Sequence, residues 1–428
     1  MNWKKLLKMA GIVSLALMIT IIPLLSAGCA GVSEEAVEEA VEEEAVEEAV
    51  EEGTLKVGFS ICYTGPVAFK GRPMGNGKLD CIKYINEELG GVAGYQIEVI
   101  WRDNEYNAAK ATTIINELMD KGCLLFTTNS SAMMTASAEI ANRAEFPGFA
   151  VFSAPALTNP PQHIYAQMPD YGDDWAAFAK YYLENIWQGE GRPKMAMHLL
   201  NNSTGYGALD AANLLADELG IELVTIKEHT DETISEIASL TSIKALNPDI
   251  LFISSTPRPT SVIISEAVDL GMYPGMTIAC AHASYVPSEL IELAGDDVEG
   301  IYGVYPTVQW GDDVPAMAKM TEYCQEYHPD DYGNVDYITS WAEGLVVAEI
   351  LRLAIENVGI DNLTPQAVEE YGFKKLDNFD VGGLHGPVSY TPGDNRLSKA
   401  VRVFQIQDGV SVPLTGWVEA PLIPYEFD

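Results

Sequence analysis

Apolar positions along this chain fall into two alternating rhythms. Residues 55–61 (LKVGFSI) alternate apolar and small side chains in the manner of a buried strand. Gly65, Pro66 and Gly71 then mark a loop, after which Leu79, Ile82, Ile85 and Leu89 recur at helical spacing until Gly90 and Gly91 stop the run. A strand is predicted at 96–101, a helical stripe at Ala111, Ile114, Ile115 and Leu118, a short strand at 124–127, a helix at 132–144 and a strand at 149–152. The beat continues with helices at 175–187, 208–219, 234–245 and 262–270, between strands at 195–200, 222–226, 249–254 and 276–281. Such alternation predicts parallel sheets with helices on both faces. Sheets of this kind bind ligands at the carboxyl ends of their strands, so the loops after strands are where function is sought. The last third differs. It holds two helices, 315–327 and 337–357, then an alternation at Val401, Val403 and Gln405 toward a turn at Asp408-Gly409, a short antiparallel finish.

A length of 428 residues exceeds one ordinary core and predicts two lobes. The N-terminus stands apart from them. Lys4, Lys5 and Lys8 precede an uncharged, mostly apolar run at 9–25, then Ser26, Ala27, Gly28 and Cys29. Basic, apolar, small is the order of a secretory signal. Its last four residues resemble a bacterial lipobox, which implies that Cys29 carries a lipid that anchors the chain on the outer face of a membrane. Ser26 stands where the lipobox prefers Leu. The stretch 33–52 carries eleven Glu and no Lys or Arg, and reads as a solvated tether. The remaining cysteines, Cys62, Cys81, Cys123, Cys280 and Cys324, are odd in number, so at least one thiol stays free within a single chain. With 25 Lys+Arg against 62 Asp+Glu, nucleic acid is excluded as a partner by repulsion of its phosphates.

The body carries a family pattern. The segments YTGPVAFKG (63–71), MGNGKLDCIKYINEELGGVAGYQIEVIWRDNEYNAAKA (74–111), NSSA (129–132), Tyr206-Gly207 and LNPDILFIS (246–254) together resemble the Leu/Ile/Val-binding family of type I periplasmic binding proteins, the receptors of branched-chain amino acid ABC transporters. The resemblance runs from about Leu55 to Asn357. It implies an α/β fold of two Rossmann-like lobes, doubly wound parallel sheets joined by a three-crossover hinge, closing on a ligand like a clamshell. The expected division is a signal at 1–28, a lipidated Cys and tether at 29–53, lobe 1 at 54–172 and 306–371, and lobe 2 at 173–305 and 372–428. The expected partners are a small ligand, an amino acid or small carboxylate, and an ABC permease. A monomer without cofactor or metal is expected.

Candidate contacts follow from the loops and from the resemblance. Tyr63 and Thr64 follow the first strand. Asn129, Ser130 and Ser131 stand at a helix start, where backbone N–H groups and hydroxyls suit a carboxylate; the resemblance assigns the serine pair that role. Ser153 and Ala156 lie in SAPALT (153–158), where the family's Thr is shifted to Thr158, and Ala166-Gln167 replace a family Arg. In the second half the resemblance assigns Tyr206 to close over the ligand and Asp231 to hold an ammonium, and Tyr305 lies near a strand end. Asp231 also suits an ordinary helix start, as Ser130 and Ser131 suit a cap. A catalytic reading is poor. Six scattered His form no H-E-x-x-H, no G-x-S-x-G occurs, and Leu79 follows Lys78 where a phosphate loop needs Ser or Thr. A ligand-sensing input protein and an exported hydrolase are the alternatives.

Overall fold

The computed structural model describes residues 53–421 and 423–427. The signal at 1–28, Cys29 and the Glu-rich stretch 33–52 lie outside them.

The chain opens with β1 (Leu55–Ile61), α1 (Ala68–Glu87), β2 (Ile97–Asp103), α2 (Ala108–Asp120), β3 (Phe126–Thr128), α3 (Ser131–Ala144), β4 (Gly148–Ala150), the single turn α4 (Pro155–Thr158) and β5 (Ile164–Ala166). These strands form an all-parallel sheet in the order β2-β1-β3-β4-β5. The chain then crosses into α5 (Tyr171–Asn185), β6 (Lys194–Leu200), α6 (Ser203–Leu219), β7 (Glu222–His229), α7 (Ile237–Lys244), β8 (Ile250–Ser254), α8 (Pro257–Asp269), β9 (Thr277–Cys280), α9 (Pro287–Ala294) and β10 (Tyr302–Tyr305). It returns through α10 (Met317–Tyr327), α11 (Val335–Val358) and α12 (Pro365–Tyr371), and ends in β11 (Ala400–Gln407), β12 (Val410–Pro413) and β13 (Val418–Glu419). The second sheet runs β12-β11-β10-β9-β8-β6-β7; its strands from β7 to β10 are parallel, and β11 joins antiparallel. The strand-helix beat, the two parallel sheets and the antiparallel finish are those expected.

The helix α1 begins eleven residues before the stripe at Leu79, through Gly71, Pro73, Gly75 and Gly77. These residues read as loop because none is a good helix former. Tertiary packing overrides that preference: α1 lies against β1 and α11 so closely that a Cβ on Gly71 would stand 1.9 Å from the Cys62 carbonyl oxygen, and one on Gly77 2.4 Å from that of Tyr337. Glycine there permits the approach.

The chain crosses between sheets three times: between β5 and α5, between β10 and α10, and before β11. The first and third crossings are tied: Ala166 N–H donates to Asn395, and Leu397 N–H donates to Ala166. The Arg396 guanidinium reaches both carboxylate oxygens of Asp173 at 2.7 and 2.8 Å, all of it buried. Gln167, in the place of the family Arg, donates to the Thr339 carbonyl and meets His385 at 3.1 Å. The boundary drawn at 372 falls within continuous packing. Phe373, Leu376, Val381, Leu384, Val388 and Leu397 belong to the first sheet's core, and the return to the second sheet is made by β11.

Candidate functional site

The loops after β1, β2, β3 and β4 of the first sheet and after β6, β8 and β9 of the second carry the site. In the first half, β3 runs into Asn129 and Ser130, and α3 begins at Ser131. Asn129 is structural as well as central. Its side chain accepts from the Cys62 N–H and donates to the Gly71 carbonyl, locking the β1–α1 turn. Ser130 is the N-cap of α3, accepting from Met133 N–H at 3.4 Å. In the second half, Asn202 caps α6 and puts Ser203 and Thr204 in its first turn. Ser131 meets these across the cleft: its hydroxyl lies 3.1 Å from that of Ser203, 3.3 Å from Thr204 and 3.2 Å from Tyr171.

Around these hydroxyls closes a cavity of about 30 Å³, lined by Ser130, Ser131, Lys70, Phe152 and Tyr106 from one side and by Tyr171, Thr204, Thr256 and Ala283 from the other, with Cys62, Val67, Gly71, Met74 and Asn129 completing it. That volume holds about two or three waters, since a water needs roughly 10–15 Å³ on this measure. A ligand the size of an amino acid enters only if the lining parts. The lobes are therefore closed on each other: Met74 and Phe152 pack in the same apolar cluster as the second sheet.

The electrostatics are one-sided. Helices α3, α6 and α8 all start at the cavity, the last with Thr256 at its N-cap position. Helix N-termini carry partial positive charge and favour anions. Lys70 is 6% exposed, and its ammonium pairs with Asp336 at 2.5 Å and lies 4.7 Å from the Phe152 ring centroid. Burial pulls its pKa below the usual lysine value against the pull of Asp336. Among the described residues no acid lines the cavity. Asp231 stands one layer back. It accepts from Thr256 at 2.8 Å and from the Tyr106 hydroxyl, and burial pushes its pKa up in spite of both bonds. Tyr106 in turn receives a bond from Asn202, so the first half's loop is clasped by the second.

The structure brings Asn129, Ser130, Ser131 and, one layer back, Asp231 together. It sets the other expected residues elsewhere. Thr64 is exposed, bound to Asp103, which also accepts the N–H groups of Tyr63 and Thr64; the Tyr63 hydroxyl goes to Asn76. Ala156 is exposed on the outer face of α4. Tyr206 is 38% exposed and hydrogen-bonds Glu228. Two positions along a helix turn a side chain about 200°, so with Thr204 in the cavity Tyr206 must face away. Ser153 is fully buried, its hydroxyl without a hydrogen-bond partner among the described residues. Tyr305 is buried behind Lys70, donating to Asp336. Sequence reasoning missed Lys70, Tyr106, Phe152, Tyr171, Thr204 and Thr256. Lys70 left one signal, a cation between Phe69 and Gly71 in the loop predicted after the first strand. The five cysteines 62, 81, 123, 280 and 324 are all free and buried, and burial pushes the Cys62 thiol up to about 12. No helix of the described residues is long and apolar enough to cross a membrane.

A family model described as "Periplasmic binding protein" matches residues 54–410. No curated relative matches the chain. Among solved structures, a branched chain amino acid ABC transporter protein from Thermus thermophilus with bound valine is similar at TM-score 0.77 and 21% identity, covering 86% of this chain and 96% of that one. A fatty acid ABC transporter substrate-binding protein from Thermomonospora curvata follows at 0.76 and 20%, covering 86% and 93%. A branched-chain amino acid substrate-binding protein from Streptococcus pneumoniae in complex with isoleucine stands at 0.71 and 17%, covering 86% and 99%. At these identities the likeness shows the fold.

Proposed function

The chain belongs to the periplasmic binding protein family, and from that premise we propose that it is the extracytoplasmic receptor of an ABC importer, closing two lobes over a small ligand that carries a carboxylate. The observation that supports this reading is the meeting of Ser131 with Ser203 and Thr204, where two helix N-termini from opposite lobes converge on one cavity. An anion between them relieves the repulsion of two like dipole ends and gains hydrogen bonds from both lobes, so it selects the closed state. Asp231, with Tyr106 and Thr256 between it and the cavity, offers a counter-charge to an ammonium, which extends the ligand class to amino acids. The valine and isoleucine in the solved relatives are consistent with that class.

The test is calorimetric titration with amino acids and small carboxylates. A hydrogen bond to a charged group contributes about 1.5–3 kcal/mol, so Ser131→Ala weakens every carboxylate by roughly ten- to a hundredfold. Asp231→Asn weakens amino acids and leaves plain acids unchanged. Full affinity in Ser131→Ala would remove the carboxylate role. Anchoring through Cys29 is a separate part of the proposal. In Cys29→Ser cells the protein leaves the membrane fraction, and retention at the wild-type level would contradict the lipid.

A further inference from the structure

Among the described residues Lys70 is the one charged side chain in the cavity lining, and the carboxylate-binding reading of Ser131 gives it no task. Its place is costly. An ammonium that is 6% exposed has lost its water and depends on local partners. It has three N–H donors. One goes to Asp336 Oδ1, which also accepts from Tyr305. The face of Phe152 takes a second direction by cation–π contact. No other protein oxygen among the described residues is bonded to it, and the remaining direction belongs to the cavity. The surroundings are otherwise nearly balanced. Asp336 neutralises Lys70, and Glu289 on α9 is the other acid whose charge is felt there, with Arg258 of α8 facing it. Burial pushes the Glu289 carboxyl up to about 7, so near neutral pH it is only partly charged.

Lys70 and Ser131 line the same cavity and, among the described residues, share no hydrogen bond. The Lys70 ammonium lies over Phe152; the Phe152 ring packs on His282 with centroids 4.4 Å apart; His282 stacks with Tyr171 at 4.7 Å; and the Tyr171 hydroxyl meets Ser131. Phe152 and Tyr171 line the cavity, and His282, buried behind it, packs against both rings. An aliphatic side chain gains nothing from a desolvated ammonium, and burying one beside it leaves a donor unpaired.

We propose that Lys70 is a specificity-determining residue that receives a second anionic group of the ligand, so that the ligand is a small dicarboxylic acid, with or without an amino group, held at one carboxylate by Ser131 and the helix N-termini and at the other by Lys70. This rests on the carboxylate role of Ser131 and narrows it. It turns the site away from the branched aliphatic amino acids of the solved relatives.

The experiment is calorimetric titration of the full chain with succinate, glutarate, glutamate, butyrate and leucine. Wild type binds at least one diacid about tenfold or more tighter than butyrate and leucine. Lys70→Met loses that advantage and leaves butyrate within about threefold. Because Lys70→Met strands a buried Asp336 and can fail to fold, the double variant Lys70→Met with Asp336→Asn, neutral at both positions, is measured alongside and gives the same loss. Equal losses for succinate and butyrate would mean that Lys70 reads the same carboxylate as Ser131 and would overturn the second-group assignment. Leucine bound tighter than every diacid, and lost in Ser131→Ala, would overturn this inference while sparing the carboxylate reading. Indifference of every ligand to Ser131→Ala would sink both.

Discussion

Two buried histidines give the clearest prediction at the scale of single residues. His198 inside β6 and His229 at the end of β7 face each other with Nδ1 atoms 2.9 Å apart, and His229 Nε2 lies 2.6 Å from the Ser255 hydroxyl. A neutral pair satisfies this contact with one donor and one acceptor; a second proton would set two donors against each other. Burial lowers His198 to about 4, and burial with the neighbouring ring lowers His229 to about 3. The unfolded chain takes up these protons near pH 6.5, so their contribution is full above 6.5 and is lost as pH falls below it. The loss is about 1.4 kcal/mol per pH unit for each ring, or roughly 2 kcal/mol each by pH 5. Melting temperature measured from pH 7.5 to 5 should fall less steeply in His198→Gln than in wild type. Parallel curves would assign the acid sensitivity to other groups. Neither histidine was singled out in the sequence, because their spacing of 31 residues matches no motif and only the pairing of β6 with β7 makes them neighbours.

Among the elements, α1 shows two effects competing at one position. Glycine in a helix interior costs about 1 kcal/mol against alanine, so propensity alone favours Gly77→Ala. A Cβ there would stand 2.4 Å from the Tyr337 backbone oxygen in α11, and backbone cannot move aside as a side chain can. Overpacking typically costs about 1–3 kcal/mol, and more when backbone must shift, so the clash wins. Gly77→Ala should lower the urea midpoint, and Gly77→Leu should lower it further; a stabilised alanine variant would show that α1 and α11 can separate freely. The same reasoning explains where pattern reading went short. Periodicity located α1 by its last three turns, where apolar residues face the core, and had no access to the first three, which exist because α11 and β1 accept them. It likewise passed over β5 and α12, three and seven residues long, whose stretches are too short for a period to register.

At the scale of the molecule, closure and hinge are separable. Arg396 ties the third crossing to Asp173 just after the first. Removing one member of a buried ion pair costs about 3–5 kcal/mol. Arg396→Ala should therefore lower the unfolding midpoint clearly, while ligand affinity, set by residues at the cleft, shifts much less. A large affinity loss with little change in stability would place Arg396 in the closing motion itself. Ligand at a hundred times its dissociation constant should add about 2.7 kcal/mol to the wild type, because the folded chain binds it and the unfolded chain does not. The segment before Thr54 is expected to contribute to neither quantity. An uncompensated run of Glu cannot bury a core, so a chain starting at Thr54 should melt and bind as the longer one does. A shift in either would show that the acidic stretch packs on the body.

What the sequence determined by itself is what repeats. The strand-helix beat requires parallel sheets, since each helix must return the chain to the same end, and an ordered set of short motifs from Tyr63 to Ser254 is enough to mark the family. Local chemistry was legible too: Asn129, Ser130 and Ser131 stand at a helix start by their residue types alone. What only the tertiary structure decided is which loops meet. Thr204 and Tyr206 are two residues apart on one helix, and the face that β6 and the cleft impose puts the first in the cavity and the second in solvent. Lys70 and Asp336, 266 residues apart, become a buried pair only because α1 lies on α11. Spacing fixes the period of a side chain. Its direction, and so its partner, is set by the surface that the rest of the chain brings against it.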